Sequence, residues 1–359
     1  MRIGLVIYGD LNIVTGGFIY DRRVVEFLRN QGDSVEVFSL PWQTYGRCLF
    51  HNFSRDFLRT LTAAPLDVLL QDELNHPSLV WLNQRLRDQT RFPIVSVVHH
   101  LRSKELRPQW QNRLYRWVER KYLLTCDGFI FNGETTRGTV EELIGSCQSF
   151  VVAPPAPNIT GPQLTEEEVR RRSFLPGPLR VIFVGSLIPR KELHTLIRGL
   201  ASLPHNLWHL EVVGSPDYDR PYADRIQRVI AEEQVSDNVT MRGQLGTEEL
   251  AQLLLESQIL AVPSSYEGFG FVYLEGMGFG LPAIGSTDGA AHETITHGQN
   301  GFLVAPGRPD QVATHVLDLG QDRERLVQMS IAALDRYGQA STWEQTGTAI
   351  REFLLDLVH

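Results

Sequence analysis

The chain has 359 residues, more than the roughly 250–300 at which one hydrophobic core stops growing, so two domains are expected. Its hydrophobic content of 42% and charged content of 21% are those of an ordinary globular protein, and its formal net charge of −8 argues against general nucleic-acid binding. Three cysteines without metal-binding spacing favour a reducing compartment. Because no apolar run reaches the ~20 residues of a membrane-spanning helix, we expect a cytoplasmic protein.

Short apolar runs without alternation recur along the chain, and each is followed by a segment of helix length. Such runs are typical of strands buried on both faces of a parallel sheet. The first half contains six, at residues 3–8, 34–39, 67–70, 93–98, 128–131 and 150–152. The second half contains six more, at residues 180–184, 210–213, 239–242, 258–262, 283–285 and 302–304. The pattern predicts two consecutive doubly wound α/β domains.

Proline clusters at residues 154–157 and 176–178 interrupt this alternation. Because proline is unfavourable in helix interiors and central strands, residues 155–178 are predicted to be an interdomain hinge. The domains are then expected over residues 1–154 and 179–340. Ligands of open α/β sheets sit beyond the carboxyl ends of the strands, so two facing sheets would bind their ligands in the cleft between them.

A glycine turn in the second half joins a predicted strand to a helix that begins near Phe271. Gly268 and Gly270 allow backbone N–H groups to approach a ligand closely, and the helix N-terminus adds its positive dipole end. Together they favour a diphosphate. Glu267 and Glu275 bracket the turn, and their carboxylates could accept hydrogen bonds from hydroxyl groups. From these residues alone, a structural turn with a solvated glutamate is an equally good interpretation.

The order of these motifs resembles the retaining glycosyltransferases of family 4, which have the GT-B fold of two Rossmann-like domains facing a central cleft. Glu267 and Glu275 around Gly-Phe-Gly resemble the family signature, and Glu293 and residues 298–304 follow in the family's order. The resemblance implies metal-independent transfer of a hexosyl unit, with retention, from a nucleoside diphosphate sugar. A UDP-sugar is favoured and GDP-mannose comes second. The acceptor would be a hydroxyl of a glycan, a lipid-linked or a small molecule.

The resemblance also implies roles for single residues. Glu267 would contact the transferred sugar and Glu275 the ribose hydroxyls. Catalytic roles fall on Glu267, Lys191, Arg190 and His99. Donor contacts fall on Gly16, Gly17, Gly185, Ser186, Gly243, Gly268, Phe269, Gly270, Phe271 and Glu275. His100 and Glu293 are further candidates.

One position departs from the family pattern. Ser186 stands where the family usually has an arginine that shares the phosphate charge with a later lysine, here Lys191. Arg190 could supply the missing charge, and a solvated loop cation is the alternative. His99 matches the family's strand-end histidine, which contacts the donor hexose, and His100 stands where an aspartate is common. A structural role is the alternative for both histidines.

Two other motifs bear on cofactors. Gly16-Gly17 opens a helix after the first strand and resembles the family's glycine pair near the donor phosphate. It is not GxGxxG, so no nicotinamide cofactor is indicated. Asp217-Tyr-Asp219 has the DxD spelling of metal-dependent glycosyltransferases, but it lies among turn-forming residues and is predicted to form a turn. No metal and no other cofactor is predicted.

Residues 107–124 are predicted to form a basic helix with five cations and one glutamate. Its apolar residues are Trp110, Leu114, Trp117, Val118 and Leu124. The favoured interpretation packs this stripe on the core and leaves the basic face in solvent. In the alternative, the helix makes a transient contact with an anionic membrane, which would place the protein at the inner face of the membrane.

The last segment, residues 341–359, is predicted to be an amphipathic helix, and the resemblance implies that it packs on the first domain. Three other functions stay open. An epimerase or phosphorylase could share the fold, and an epimerase would consume a nucleotide sugar without an acceptor. A non-catalytic sugar-nucleotide-binding protein would bind the donor without turnover. A dinucleotide oxidoreductase is disfavoured because GxGxxG is absent.

Overall fold

The computed structural model describes residues 1–13 and 15–359; Val14, within the segment that precedes the predicted glycine pair, lies outside the described residues. The chain divides into two compact units, Met1–Ala156 with Ser341–His359, and Pro157–Ala340. Each unit contains a six-stranded sheet whose neighbouring strands are parallel. The prediction of two Rossmann-like α/β domains is therefore confirmed.

The first unit alternates strands with helices. Its strands are β1 (Arg2–Tyr8), β2 (Ser34–Leu40), β3 (Val68–Asp72), β4 (Ile94–Val98), β5 (Gly128–Phe131) and β6 (Phe150–Val152), in the order β2-β1-β3-β4-β5-β6. Its helices before residue 156 are α1 (Gly16–Asn30), α2 (Tyr45–Cys48), α3 (Arg55–Ala63), α4 (His76–Leu79), α5 (Leu82–Arg87), α6 (Gln109–Leu123) and α7 (Glu134–Ile144). Every residue of β3, β4 and β5 is buried, as the continuous apolar runs predict.

The second unit repeats the alternation. Its strands are β7 (Leu179–Val184), β8 (Trp208–Val213), β9 (Val239–Gly243), β10 (Ile259–Ala261), β11 (Ala283–Ser286) and β12 (Gly301–Val304), in the order β12-β11-β10-β7-β8-β9. Its helices are α8 (Glu166–Ser173), α9 (Leu193–Ala201), α10 (Arg220–Glu232), α11 (Thr247–Glu256), α12 (Phe271–Gly278), α13 (Pro309–Gln321) and α14 (Arg323–Gly338). A single hydrophobic core, centred on β7, β8 and β10, joins these elements.

The segment predicted as a hinge, residues 155–178, lies mostly within the second unit. It contains α8, whose Arg172 donates hydrogen bonds of 2.6 and 2.7 Å to the carbonyls of Phe279 and Gly280. Gln258 in turn donates to the Arg172 carbonyl at 2.8 Å. These bonds attach α8 to the beginning of β10, which precedes the glycine turn, and to the end of α12, which follows it.

The last helix, α15 (Trp343–Val358), belongs to the first unit. Arg351 pairs with buried Asp33 at 2.7 Å, and the Thr346 hydroxyl donates to the carbonyl of Pro154 at 2.6 Å. A Cβ at Gly347 would lie 2.3 Å from the Phe27 ring, so the absence of a side chain allows α15 to approach α1 closely.

The helix α6 buries a different face from the predicted one. Its buried residues are Tyr115, Val118, Glu119, Tyr122 and Leu123. Trp110, Leu114, Trp117 and Leu124 are exposed, by 68%, 43%, 48% and 54%. The prediction is therefore wrong for these four residues of the stripe, but Val118 is buried as predicted. The reason for the error is that tyrosines take the inner side: Tyr115 contacts the ring of Tyr45 at 4.1 Å, and Tyr122 donates to Ser96 at 3.2 Å. The helix does pack on the core, and its cations Arg113, Arg116, Arg120 and Lys121 are exposed to solvent, as the favoured interpretation expects.

None of the helices in the described part of the chain combines the length and the apolarity that crossing a bilayer would require.

Candidate active site

The strand order of the second unit brings charged residues together. The order reverses between β7 and β10, and in open α/β sheets this reversal opens a crevice at the carboxyl ends of the two strands. A short 3-10 helix, Pro189–Lys191, follows β7, and the loop that carries Glu267 follows β10. The Lys191 Nζ atom lies 2.5 Å from Glu267 Oε1, and Arg190 Nη1 lies 3.6 Å from Glu267 Oε2. Three predicted catalytic residues thus form one cluster.

Glu267 is ionised in this cluster although its side chain is only 7% exposed. Burial opposes ionisation, but the charges of Lys191 and Arg190 and the hydrogen bonds from Lys191 and Ser264 outweigh it and lower the Glu267 pKa to about 2. Burial lowers the pKa of Lys191, and Glu267 opposes that shift. Two cations around one carboxylate leave a local excess of positive charge, which suits a phosphate group.

The glycine turn holds Glu267 in place. Gly270 has φ of +85° and precedes α12, and a Cβ there would lie 2.4 Å from the Tyr273 ring. The Glu267 carbonyl accepts the N–H of Ala290 at 2.8 Å. Gly289, with φ of +84°, passes so close that its Cβ would lie 2.2 Å from that same carbonyl oxygen. The loop after β11 therefore supports the Glu267 backbone. The predicted donor contacts in this turn are Gly268, Phe269, Gly270 and Phe271.

Glu275 lies on α12, one turn beyond the glycine turn. Its Oε1 accepts the backbone N–H of Asn158 at 3.2 Å. Burial raises the Glu275 pKa to about 7, and the N–H bonds of residues 158 and 159 offset only part of that shift. The two oxygens of a carboxylate can accept hydrogen bonds from the two hydroxyls of a ribose diol. Its ribose role stays a prediction.

The other predicted donor contacts of the second unit end neighbouring strands. Gly185 follows β7. A Cβ at Gly214 would lie only 1.9 Å from the carbonyl oxygen of Gly185, so the two backbones are in close contact. Gly243 ends β9 with φ of +69° and accepts the Gly214 N–H at 2.8 Å. Ser186 comes next after Gly185, and its carbonyl accepts the N–H of Ile188 at 2.9 Å. These backbones line the same edge of the sheet as Lys191.

Two further motifs of this unit have local contacts. The carbonyl of Glu293, in the 3-10 helix Ala291–Glu293, accepts a hydrogen bond from Arg336 at 2.9 Å. In the DxD string, Asp219 caps α10 by accepting the Tyr222 N–H at 3.0 Å, and Asp217 pairs with an arginine of the same helix. Asp219 therefore has the structural role that its turn-forming context predicts.

In the first unit His99 directly follows β4, the strand next to β3, and the strand order reverses between β3 and β1. The His99 Nε2 atom lies 3.1 Å from Asp21 Oδ1, and the Tyr20 ring packs edge-on at 5.2 Å. Burial lowers the His99 pKa, but Asp21, helped by Asp72 and Glu73, outweighs it and raises the pKa to about 9. The neighbouring carboxylates therefore favour the protonated form of His99, whose side chain is 14% exposed.

The predicted glycine pair begins α1 next to this histidine. Gly16 is the first residue of the helix, and a Cβ at Gly17 would lie 3.1 Å from the His99 ring. Glycine at position 17 thus allows the first turn of α1 to approach the imidazole. The neighbouring His100 instead contacts Glu105 Oε1 at 3.0 Å, and Glu105 also pairs with Arg107.

Three acidic residues beside His99 were missed by sequence reasoning. Asp21, Asp72 and Glu73 are each only 3% exposed. Within the described residues Asp21 Oδ2 has no hydrogen-bond partner, and Glu73 Oε1 lies 3.0 Å from His76 Nδ1. Burial, with repulsion from Asp21, raises the Asp72 pKa to about 7, and burial raises the Glu73 pKa to about 7. The sequence did contain a signal for two of them: Asp72 and Glu73 come soon after the predicted buried strand at residues 67–70, as His99 comes after the strand at residues 93–98. Residues at the carboxyl ends of parallel strands lie at the same edge of a sheet.

Two sets of side chains have donor types and separations compatible with a metal ion. The first set is Asp21, Asp72 and His99, and the second is Glu73, His76 and Glu119. Within each set the potential ligand atoms lie within 4.8 Å of one another. In this structure the His99 Nε2 atom and Asp21 Oδ1 are in direct contact at 3.1 Å.

Residues 165–336 match the sequence model of the family described as glycosyl transferases group 1, which covers most of the second unit. The second unit of the chain is therefore similar to the glycosyl transferases, group 1. The family resemblance of the second half is thereby confirmed. The match extends from α8 through α14 and includes the whole Lys191–Glu267 cluster.

Several curated glycosyltransferases have sequences similar to this chain. One is a GDP-mannose-dependent alpha-(1-6)-phosphatidylinositol monomannoside mannosyltransferase of Mycobacterium tuberculosis, 28% identical over 64% of this chain and 61% of the relative. Another is a D-inositol 3-phosphate glycosyltransferase of Nocardia farcinica, 26% identical over 76% of this chain and 62% of the relative. The chain spans about three-fifths of the length of these relatives.

Solved structures resemble the chain over 99% of its length. Sucrose-phosphate synthase from Thermosynechococcus elongatus has a TM-score of 0.82 at 21% identity, with 98% of that chain covered. Anabaena HepE, in complex with UDP and glucose, has a TM-score of 0.77 at 18% identity, with 99% covered. These likenesses show the fold, and the predicted GT-B fold is confirmed.

Proposed function

We propose that the protein is a retaining glycosyltransferase that moves a hexosyl unit from a nucleoside diphosphate sugar to a hydroxyl group, without a bound metal. The observation that carries this proposal is the cluster of Lys191, Arg190 and Glu267 at the strand reversal of the second unit. It combines a net positive charge for a diphosphate with a carboxylate for sugar hydroxyls. Both parts lie where α/β sheets bind nucleotides.

Lys191 and Arg190 are proposed to bind the diphosphate and to stabilise the charge that develops as it leaves. They sit just before α9, and the glycine turn sits just before α12, so two helix N-termini begin beside the cluster. Fixed cations and helix dipoles stabilise a leaving diphosphate without reorganisation during the reaction. In this proposal Arg190 supplies the charge that Ser186 lacks.

Glu267 is proposed to orient the transferred sugar rather than to attack it. Its carboxylate already accepts from Lys191 and Ser264 at 2.5 Å each, so it is held as a hydrogen-bond acceptor. The hydrogen bond from the Lys191 ammonium group lowers the nucleophilicity of the Glu267 carboxylate. We therefore favour front-side displacement, in which a phosphate oxygen of the leaving group removes the proton of the acceptor hydroxyl. A trapped glycosyl-enzyme adduct would contradict this mechanism.

The names of the relatives support two donor classes and a group of acceptors. The mycobacterial relative is named for GDP-mannose and for a phosphatidylinositol mannoside, and the HepE structure contains UDP. We propose a UDP-sugar or GDP-mannose as the donor and a lipid-linked or polyol hydroxyl as the acceptor. The proposal includes a peripheral, cytoplasmic position at the inner face of a membrane, reached through residues 107–124.

The direct test follows donor consumption by NMR, with UDP-glucose and GDP-mannose each offered with and without a panel of polyol and lipid-linked acceptors. We expect acceptor-dependent consumption of one donor and a product whose anomeric coupling matches that of the donor. An inverted product would contradict retention. Donor converted to another nucleotide sugar without acceptor would identify an epimerase, and binding without turnover would identify a sugar-nucleotide-binding protein.

A further inference from the structure

The outer face of α6 is an apolar stripe that the first unit does not cover. Trp110, Leu114, Trp117 and Leu124 recur at intervals of three, four and seven residues, so they follow one side of the helix. Each is between 43% and 68% exposed. Two tryptophans and two leucines in one line form an exposed apolar patch of the kind that marks an interaction site.

Cations border this stripe. Arg113, Arg116 and Arg120 lie along one side of it, and Lys121 lies within it, with its Nζ 4.4 Å from the centre of the Trp117 ring. All four side chains are exposed, whereas Glu119, the one acidic residue of the helix, is fully buried. The exposed residues of α6 therefore include four cations and no acidic residue, although the whole chain has a net charge of −8.

The inner face holds α6 firmly enough to present that stripe. Glu119 accepts hydrogen bonds from the backbone N–H and the hydroxyl of Ser103, at 3.0 and 2.5 Å. Asn112 donates to the carbonyl of Glu105 at 2.9 Å. The tryptophans point outward while the helix is fixed by buried polar bonds on its opposite side.

We propose that the outer face of α6, defined as Trp110, Leu114, Trp117 and Leu124 with Arg113, Arg116, Arg120 and Lys121, docks on the headgroup region of an anionic lipid bilayer. Tryptophan and leucine would enter the interface, and the cations would contact lipid phosphates. A second copy of the chain is a poorer occupant, because a two-fold contact would oppose the same four cations on each side. This docking deepens the proposed function by naming the surface on which the acceptor is carried.

The segment between His99 and α6 is attached to this helix. Both the Ser103 and Glu105 bonds belong to the connection that leaves β4 just after His99. Docking of α6 would therefore place the His99 end of the sheet at a fixed height above the lipid surface. A headgroup hydroxyl is then the acceptor that the first unit would meet most readily.

Vesicle co-sedimentation of the full chain, without donor or acceptor, tests this proposal. We expect binding to vesicles of phosphatidylglycerol and phosphatidylcholine, with a blue shift of tryptophan emission, and little binding to phosphatidylcholine alone. Binding should be lost at about 1 M salt, where the screening length falls to about 3 Å. Replacing the four cations by glutamine should weaken binding several-hundred-fold, at roughly fivefold for each charge.

A matched pair of variants separates the stripe from general stickiness. Trp110→Ala with Trp117→Ala should abolish the emission shift and weaken vesicle binding by roughly tenfold or more. Phe174→Ala with Tyr218→Ala, two residues 47% and 50% exposed in the second unit, should change neither. Circular dichroism checks that both variants stay folded.

Two results would overturn the docking proposal. One is equal binding of the wild type and the tryptophan variant to anionic vesicles. The other is a dimer in sedimentation velocity that the tryptophan variant dissociates, since a second copy would then cover the stripe. Neither result affects the proposed reaction, which is measured separately with the donor and a water-soluble acceptor.

Discussion

Replacing Lys191 by alanine removes the ammonium group nearest to Glu267 and leaves Arg190 at 3.6 Å. The Glu267 pKa of about 2 lies about 2 units below the ordinary glutamate value of about 4.3, which corresponds to about 3 kcal/mol of stability. Arg190 and Ser264 also lower the Glu267 pKa, so part of this stabilisation would remain without Lys191. We therefore expect the free energy of unfolding of Lys191→Ala at neutral pH to be about 2 kcal/mol lower than that of the wild type.

The pH dependence gives the sign of this effect. A carboxylate with a depressed folded-state pKa stabilises the protein above its unfolded pKa of about 4.3, and that stability is lost as the pH falls towards 2. The difference between wild type and Lys191→Ala should therefore be fully present at pH 7 and shrink below about pH 4. Urea titrations at several pH values measure it.

The same substitution should reduce transfer more than it reduces stability. Removing one preorganised donor to a developing charge costs on the order of 10²–10³ in turnover, and we expect that range for kcat of Lys191→Ala. Lys104→Ala is the matched control, since Lys104 pairs with Glu142 at 3.0 Å in the first unit, far along the chain from this cluster. A Lys191→Ala protein with wild-type stability and turnover would refute the assigned role.

Asp21→Asn should lower the His99 pKa from about 9 towards or below its ordinary value, because burial then acts with less opposition; NMR titration of the imidazole measures the shift, and an unchanged pKa would contradict the pairing. Gly17→Ala places a Cβ 3.1 Å from the His99 ring and should lower donor affinity more than it lowers stability. Gly32→Ala is the control, because it introduces backbone strain at a φ of +84° without a contact at the site, and it should lower stability without lowering donor affinity. The raised folded-state pKa of Glu275 should make the free energy of unfolding of the wild type fall as the pH rises from about 4.5 to about 7. Glu275→Gln removes the titrating group, so the free energy of unfolding of this variant should change less over the same pH range. Identical pH profiles of variant and wild type would disprove this.

Much of the fold could be predicted because parallel strands buried on both faces are continuous apolar runs. All twelve predicted runs overlap strands of the structure. The meeting of Lys191 with Glu267 needed more than that. The two residues are separated by a long stretch of chain, and only the adjacency of β7 and β10 brings their side chains to 2.5 Å. Motif order alone could name them as a pair, but it could not supply their distance or charge balance.

Two parts of the first unit were not predicted, each for a physical reason. No role was predicted for Asp72 and Glu73, because the predicted apolar run ends at residue 70; Asp72 in fact ends β3, and Glu73 begins the 3-10 helix Glu73–Asn75. In α6, the count of apolar residues left out the tyrosines, whose rings pack inward, and the hydroxyl of Tyr122 donates to Ser96. The tryptophans were therefore assigned to the wrong face of the helix.

The central claim is that the cluster of Lys191, Arg190 and Glu267 binds the diphosphate of a sugar nucleotide. Isothermal titration of the wild type with UDP and with GDP tests it most directly, with Lys191→Ala and Lys104→Ala measured alongside. We expect one nucleotide to bind the wild type and Lys104→Ala equally, and to bind Lys191→Ala at least tenfold more weakly, the equivalent of about 1.4 kcal/mol. Equal affinity of Lys191→Ala and the wild type, or binding of neither nucleotide, would contradict the claim.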